Sequence, residues 1–282
     1  MNNQNSTAAP SIGSICYKLL ADTAQDRLMR LEANTILGNF LLLIAFHFSF
    51  FDFIVRMVVT LYINVLGYFI NDFIDVEVDL ASQNKDRSKA LFIKQHKKIA
   101  LALILCMSTG IVTATLFYSR SVCFAVIMLL FIVTIYTDYF KNKAFWDVIF
   151  IGLWGFALSW IAIPDFSWQG IKLILLLFIF GCCFETVQTL KDYDEDKKFG
   201  LTTTPIVLGV PKTLLILRIL YIASALYAFF VLNEIVGILI LIPLFFSTAQ
   251  NMGTYWTKLK LVCGVVWLVI MARLYFHFLP PG

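Results

Sequence analysis

Charged residues are scarce in this sequence, because aspartate, glutamate, lysine and arginine make up only 14% of its 282 residues. Soluble domains typically contain about 25% of such residues. Hydrophobic residues make up 60% of the chain and stand in long runs that short polar segments separate. This composition excludes an ordinary soluble fold of this length, and the runs predict helices that span a membrane.

The short motifs of several common enzyme classes are also missing. The sequence contains no P-loop, no GxGxxG fingerprint, no HExxH zinc motif and no nucleophile elbow. Its three histidines, His47, His96 and His277, are widely separated and predict no metal site. Any chemistry must therefore come from other polar residues.

The hydrophobic runs predict an all-α, polytopic membrane protein with about nine transmembrane helices. Most of the runs meet the requirement of roughly 17–25 residues for crossing the hydrocarbon core. The predicted cores are 35–51, 53–71, 98–117, 122–140, 146–163, 171–190, 212–232, 235–251 and 259–278. We expect a cytoplasmic N-terminal segment over residues 1–34 and a transmembrane domain over residues 35–282.

The distribution of lysine and arginine predicts the orientation of these helices. Most of the 22 basic residues lie in the N-terminal segment and in the connections after every second span. The positive-inside rule then places the N-terminus in the cytoplasm. Two long charged connections, 72–97 and 191–211, fall on the same side, and long connections in a compact domain are often functional.

The first long connection opens with carboxylates at helical spacing. Asn71, Asp72, Asp75 and Asp79 continue the helix of the second span and share one face. Like charges on one face destabilise a helix, and a divalent cation would remove that repulsion. Oxygen ligands of this kind suit Mg²⁺, which shares its coordination shell with water and substrate phosphates. Basic residues follow at Lys85, Arg87, Lys89 and Lys94, as an anionic phosphate group requires.

The second long connection repeats this pattern on the same side. Asp192 and Asp196 are four residues apart at the end of the sixth span, and Gly200 is expected to end the helix. Lys191, Lys197 and Lys198 add positive charge beside them. Each acidic helix end is thus a candidate magnesium site, with a diphosphate between them. The simpler interpretation, solvated charged loops, stays open on the pattern alone.

Together the two motifs resemble the UbiA superfamily of intramembrane prenyltransferases. The segment Asn71–Asp79 matches the pattern NDxxDxxxD, and Asp192–Gly200 matches the second motif DxxxD with its glycine. Further similarities lie at Arg27–Leu31, at Asp147, and at Thr203, Leu208 and Gly209. The resemblance implies a bundle of helices around a central cavity, with a cytoplasmic helical cap.

The resemblance also implies the ligands and the site residues. Mg²⁺ would be the cofactor, and the partners would be a polyprenyl diphosphate, a small aromatic or quinone-precursor acceptor and membrane lipid, with no nucleic acid. The implied metal ligands are Asp72, Asp75, Asp79, Asp192 and Asp196; the implied catalytic residues are Asp72, Asp75, Asp192 and Lys191; the implied substrate-binding residues are Asn71, Arg87, Lys89, Arg30, Lys197 and Gln188. Glu185 is expected to edge the cavity together with Gln188.

The sequence departs from the family pattern after the first motif, where an Arg-Pro-Leu segment is replaced by Lys89-Ala90-Leu91. A terpene cyclase that quenches the cation within the prenyl chain therefore remains an alternative. Transfer of a phosphosugar to polyprenyl phosphate is another alternative on this scaffold. An ion transporter is a fourth, but it predicts carboxylates in the middle of the spans, whereas these motifs lie at one end.

Overall fold

A computed structural model of the chain describes residues 11–29, 34–81, 87–247 and 251–277. Within these ranges the chain is helical and contains no strand. The α-helices are α1 (Ile12–Met29), α2 (Asn34–Ala45), α3 (Phe50–Ile74), α4 (Val76–Ala81), α5 (Arg87–Gln95), α6 (Lys97–Tyr118), α7 (Arg120–Ile135), α8 (Trp146–Trp160), α9 (Trp168–Lys191), α10 (Tyr193–Lys198), α11 (Thr204–Leu208), α12 (Val210–Phe230) and α13 (Met252–His277). A π-helix (Tyr136–Phe140) extends α7, and a 3₁₀-helix (Ile235–Phe245) precedes α13.

Six helices in the described part of the chain are long and apolar enough to cross a membrane. They are α3, α6, α7 with its π-helical extension, α9, α12 and α13. Three shorter apolar helices cover the remaining predicted spans: most of α2, α8 and the 3₁₀-helix. The chain is therefore an all-helical integral membrane protein with six candidate spans, and the number nine stays a prediction.

The eighth predicted span differs from the expectation of an ordinary α-helix. Residues Ile235–Phe245 form a 3₁₀-helix that contains Pro243. Proline lacks the amide hydrogen that an α-helix needs in its interior. The segment also packs tightly on α12, since a Cβ added at Gly237 would lie 2.4 Å from the Cβ of Ala228.

The apolar helices pack against one another in chain order, and α13 returns to α2 to close the bundle. Helices α8 and α9 approach closely, since a Cβ added at Gly181 would lie 3.0 Å from the Cα of Gly152. Helix α1 contacts α3, α5 and α6, with Ile15 and Leu19 buried in the core. Helix α1 thus packs on α3, at whose end the first motif begins.

One end of the bundle is sealed by a buried arginine, and we call it the Arg56 end. The guanidinium of Arg56 donates to the backbone oxygens of Ile161 and Ile163, both at 2.8 Å, and to Asp165 at 2.9 Å. Its Nε donates to Tyr118 at 3.3 Å, and Tyr118 donates to Asp52 at 2.6 Å. These bonds tie α3 to the ends of α6 and α8.

Candidate active site

The opposite end of the bundle carries both acidic motifs, and we call it the motif end. The predicted continuous helix over the first motif is divided, because α3 ends at Ile74, Asp75 forms its C-cap and α4 begins at Val76. The backbone nevertheless keeps helical hydrogen bonds from Asp75 to Asn71, 2.9 Å, and from Asp79 to Asp75, 2.8 Å. Asp72 and Asp75 are buried, so their carboxylates point into the protein.

Lysine side chains lie against both buried carboxylates of the first motif. Lys89 pairs with Asp72 at 2.6 Å, and only 12% and 7% of the two side chains are exposed. Lys141, which directly follows the π-helix, pairs with Asp75. Thr23 in α1 also donates to Asp72, at 3.4 Å. Helices α1, α3 and α5 and the connection after α7 therefore meet at the first motif.

The second motif lies at the junction of α9 and α10. Asp192 is the C-cap of α9 and accepts a hydrogen bond from Gln188 at 2.7 Å, while Asp196 accepts one from Thr203 at 2.9 Å. Burial raises the pKa of the Asp196 carboxyl, and the nearby charge of Asp192 raises it further, although the bond from Thr203 lowers it. A bound cation would relieve this unfavourable charge.

Gly200 follows α10 with a φ of +67°, a conformation that favours glycine. Helix α10 ends at Lys198, two residues before Gly200. The prediction that the helix ends near this glycine is therefore confirmed. The turn lets the chain reverse toward Thr203 and α11.

The other predicted site residues differ in their exposure to solvent. Lys191 is exposed, yet it lines the rim of the central cavity described below. Arg87 is exposed at the start of α5, and Lys197 is exposed in α10 with its ammonium 5.9 Å from the ring of Tyr193. Asp79 is half-buried in α4. Arg30 lies outside the described residues.

A cavity of about 650 Å³ opens between the motifs and runs into the bundle. Its polar rim includes Asn71, Lys141, Gln188 and Lys191, and Glu185 lies deeper in its wall. Its apolar wall is rich in aromatic side chains, namely Phe150, Trp154, Phe180 and Phe184. The cavity thus joins a charged mouth to a hydrophobic interior, as a ligand with an anionic head and an apolar tail requires.

Both motifs border this cavity, since Asn71 of the first motif and Lys191, directly before the second, line it. Tyr136 also lines the cavity and lies within electrostatic range of Asp75 from the first motif and Asp196 from the second. No group of three or more acidic, histidine or cysteine side chains comes close enough to hold a metal ion within the described ranges. Protein ligands from one motif would therefore need oxygens from water or substrate to complete a magnesium shell.

Several polar residues of the site are not singled out by the sequence motifs. Lys141 stands in the sequence only as one of many basic residues on the predicted cytoplasmic side. Its signal is its place directly after an apolar run, which any anchoring lysine shares. Thr137 donates to Asn71 at 3.2 Å and supports the first motif, but an isolated threonine near a helix end predicts nothing specific.

Asp147, at the start of α8, has a supporting position. Its carboxylate accepts hydrogen bonds from the backbone nitrogen of Thr204 at 2.7 Å and from the hydroxyl of Thr204 at 2.5 Å. Only 1% of Asp147 is exposed. These bonds fix the chain that follows the second motif against α8.

Comparisons with known proteins agree with this architecture. The sequence pattern of the UbiA prenyltransferase family matches residues 33–277. No curated protein matches the sequence significantly. A UbiA homologue from Archaeoglobus fulgidus bound to GPP and Mg²⁺ aligns with a TM-score of 0.69 at 15% identity, covering 93% of this chain and 100% of that chain.

Two other solved structures are similar. One, reported for digeranylgeranylglyceryl phosphate synthase in membranes, has a TM-score of 0.63 at 17% identity and covers 93% of this chain and 98% of that one. The apo form of a UbiA homologue from Aeropyrum pernix K1 has a TM-score of 0.60 at 14% identity, with 95% and 99% covered. At these identities the likeness establishes the shared fold.

Proposed function

The chain belongs to the UbiA prenyltransferase family, and we propose that it is a Mg²⁺-dependent enzyme that moves a polyprenyl group from an isoprenoid diphosphate to an aromatic or quinone-precursor acceptor. The observation that carries this proposal is the cavity, which joins the mouth between two acidic motifs to an aromatic interior. The solved structures of Archaeoglobus fulgidus homologues with GPP or DMAPP and Mg²⁺ support the substrate class and the cofactor.

The residues of the motif end fit a magnesium–diphosphate complex by their chemistry. Asp72, Asp75 and Asp79 on one side, and Asp192 and Asp196 on the other, would supply hard carboxylate oxygens. When bound, the metal would neutralise charge that develops on the leaving diphosphate. Asn71 would contribute its amide oxygen or bind a phosphate oxygen through its amide nitrogen.

The lysines at the site would bind the diphosphate. Lys89 and Lys141 already lie at Asp72 and Asp75, where they balance the charge of these carboxylates. Lys191 at the cavity rim, Lys197 in α10 and Arg87 at the start of α5 would add positive charge for the departing pyrophosphate. Charge-assisted hydrogen bonds from these groups would strengthen as negative charge collects on the leaving oxygen.

The aromatic interior of the cavity would accept the prenyl tail. Phe150, Trp154, Phe180 and Phe184 offer ring faces, which attract a cation electrostatically, as well as apolar surface. They also exclude water from the reacting carbon. This wall equally suits a terpene cyclase, in which the cation is quenched within its own chain, and we keep cyclisation as the second candidate.

We further propose that the motif end faces the cytoplasm, because most of the lysine and arginine residues lie in the connections at that end. Labelling of single cysteines by an impermeant thiol reagent tests this in intact cells. A cysteine at exposed Asp194 should be protected from outside, and one at exposed Arg120 should react.

Product analysis tests the reaction. The purified full chain would be incubated with geranylgeranyl diphosphate and Mg²⁺, with and without phenolic acceptors, and the products identified by mass spectrometry. We expect pyrophosphate release and a prenylated acceptor. A cyclic hydrocarbon formed without acceptor would show that the enzyme is a cyclase and not a transferase. The absence of any turnover of the diphosphate would contradict both candidate functions.

A further inference from the structure

One ionisable side chain inside the cavity is not explained by the metal and diphosphate residues. Glu185 belongs to α9 and lines the cavity wall. It makes no hydrogen bond and no ion pair with any residue in the described part of the chain. Glu185 is half-buried, and the partial burial of a carboxylate without a partner is unfavourable. Such a residue within a membrane-spanning helix is a candidate for function.

The position of Glu185 sets it apart from the motif carboxylates. It precedes Asp192 by seven residues, two turns of α9, so both point to the same face of that helix. The rise of an α-helix places it roughly 10 Å further into the bundle. A diphosphate bound between the motifs would therefore direct its allylic carbon toward the depth of Glu185.

Most of the charged groups that act on Glu185 are carboxylates. The charged groups in electrostatic range are Asp147 on α8, Lys141 after the π-helix, and Asp192 and Asp196 in the second motif, and the phenol of Tyr136 lies on the same side. The only cation among these, Lys141, is paired with Asp75. The side chain is therefore placed to meet a group that arrives with a substrate.

We propose that Glu185 is a catalytic residue that takes the proton which the acceptor loses on prenylation. The inference rests on the proposed transferase function. In this step the bond between the allylic carbon and the diphosphate oxygen breaks, and its electron pair leaves with pyrophosphate. An electron pair of the acceptor then forms the new bond to that carbon, and the proton on the reacting atom of the acceptor passes to the Glu185 carboxylate.

Glu185→Gln tests the proposal, since it keeps the size of the side chain but cannot accept the proton. Glu77→Gln is a matched control, because Glu77 is exposed in α4. Geranyl diphosphate with ¹⁸O in its bridging position would be supplied with Mg²⁺. Movement of the label to non-bridging positions reports cleavage of the carbon–oxygen bond. Product formation is measured with phenolic acceptors. It is also measured with water as the acceptor, because a water molecule that attacks the allylic carbon must lose a proton as well.

We expect product formation to fall about 10²–10⁴-fold in Glu185→Gln, as is typical when a general base is removed. The ¹⁸O exchange and the affinity for geranyl diphosphate should stay near those of the wild type, because ionisation precedes proton loss. Added formate should raise the rate of product formation by Glu185→Ala at least about tenfold, since it can replace the missing carboxylate.

Three results would overturn the inference. Product formation within about threefold of wild type in Glu185→Gln would show that no proton is taken there. If Glu185→Gln loses both the ¹⁸O exchange and product formation, the Glu185 carboxylate acts in cleavage of the carbon–oxygen bond and not in proton transfer. A wild type that neither exchanges the label nor forms product would refute the proposed function itself, which separates that failure from the other two.

Discussion

The two ends of the helical bundle use the same kinds of charged residue in different ways. At the Arg56 end, one guanidinium is bound by two backbone oxygens, a tyrosine and a carboxylate. At the motif end, Lys89 and Lys141 pair with Asp72 and Asp75 beside an open cavity. Both ends bury charge, but Lys141 at the motif end lines the central cavity, whereas the guanidinium of Arg56 is enclosed by its hydrogen-bond partners.

This difference teaches that buried ion pairs near a membrane surface have two separate uses. Every donor nitrogen of Arg56 has a partner from the ends of neighbouring helices, so this arrangement holds the helices together. The lysines of the motif end bind carboxylates that resemble metal ligands. Removing charge at the motif end should therefore affect chemistry, whereas removing charge at the Arg56 end should affect stability.

The largest expected effect follows from neutralising one carboxylate of each motif. Asp72→Asn and Asp192→Asn should each lower Mg²⁺-dependent turnover of geranylgeranyl diphosphate by more than about 1000-fold, near 4 kcal/mol in the barrier. Asp192→Asn should keep a thermal stability in detergent close to that of the wild type, whereas Asp72→Asn should be less stable because Lys89 loses its buried partner, so turnover is compared per folded molecule. Asp194→Asn is the matched control, because that carboxylate is exposed. Full activity in both variants would contradict the assignment of the site.

The next effect belongs to the Arg56 end. Arg56→Ala should lower the free energy of unfolding by about 3 kcal/mol, since it removes a buried, fully bonded charge. Titration with sodium dodecyl sulfate in mixed micelles measures this change. Turnover per folded molecule should not change. Arg120→Ala, an exposed residue on the same side, should be neutral. Equal stability of the two variants would refute a structural role for Arg56.

A smaller effect is expected where the motif end is held by structural bonds. Asp147→Ala should lower the free energy of unfolding by about 2 kcal/mol, because two donors of Thr204 lose their acceptor. It should also weaken binding of the diphosphate, since the segment after the second motif is no longer fixed. If the variant is less stable but binds the diphosphate as tightly as the wild type, the segment after the second motif does not contribute to the binding site.

The smallest effect concerns the shape of the cavity. A Cβ added at Gly67 would lie 2.4 Å from the ring of Trp154, so Gly67→Ala must displace that ring. Both residues line the cavity. We expect KM for geranylgeranyl diphosphate to rise a few-fold, by about 3–10 times, with less change for geranyl diphosphate. Gly264→Ala is the control, since nothing lies within 4 Å of its added Cβ. If the ratio of the two KM values, for geranylgeranyl and for geranyl diphosphate, is the same in Gly67→Ala and in the wild type, the prenyl tail binds elsewhere.

The sequence predicts the helical fold and the motifs because both depend on local patterns. Hydrophobic runs locate the apolar helices, and helical spacing groups Asp72 with Asp75. The pairing of Lys141 with Asp75 depends on how α7 packs against α3, which spacing along the chain does not encode. The sequence suggests Glu185 at the cavity edge, but its lack of partners emerges only from the packed bundle.

Binding of geranyl diphosphate to the full chain, measured by isothermal titration with Mg²⁺ and with a chelator, tests the central claim most directly. If both motifs hold metal and diphosphate together, Mg²⁺ should strengthen binding to the wild type about 100-fold, near 2.7 kcal/mol. Asp192→Asn should lose most of this gain. Equal affinity with Mg²⁺ and with chelator would contradict the account.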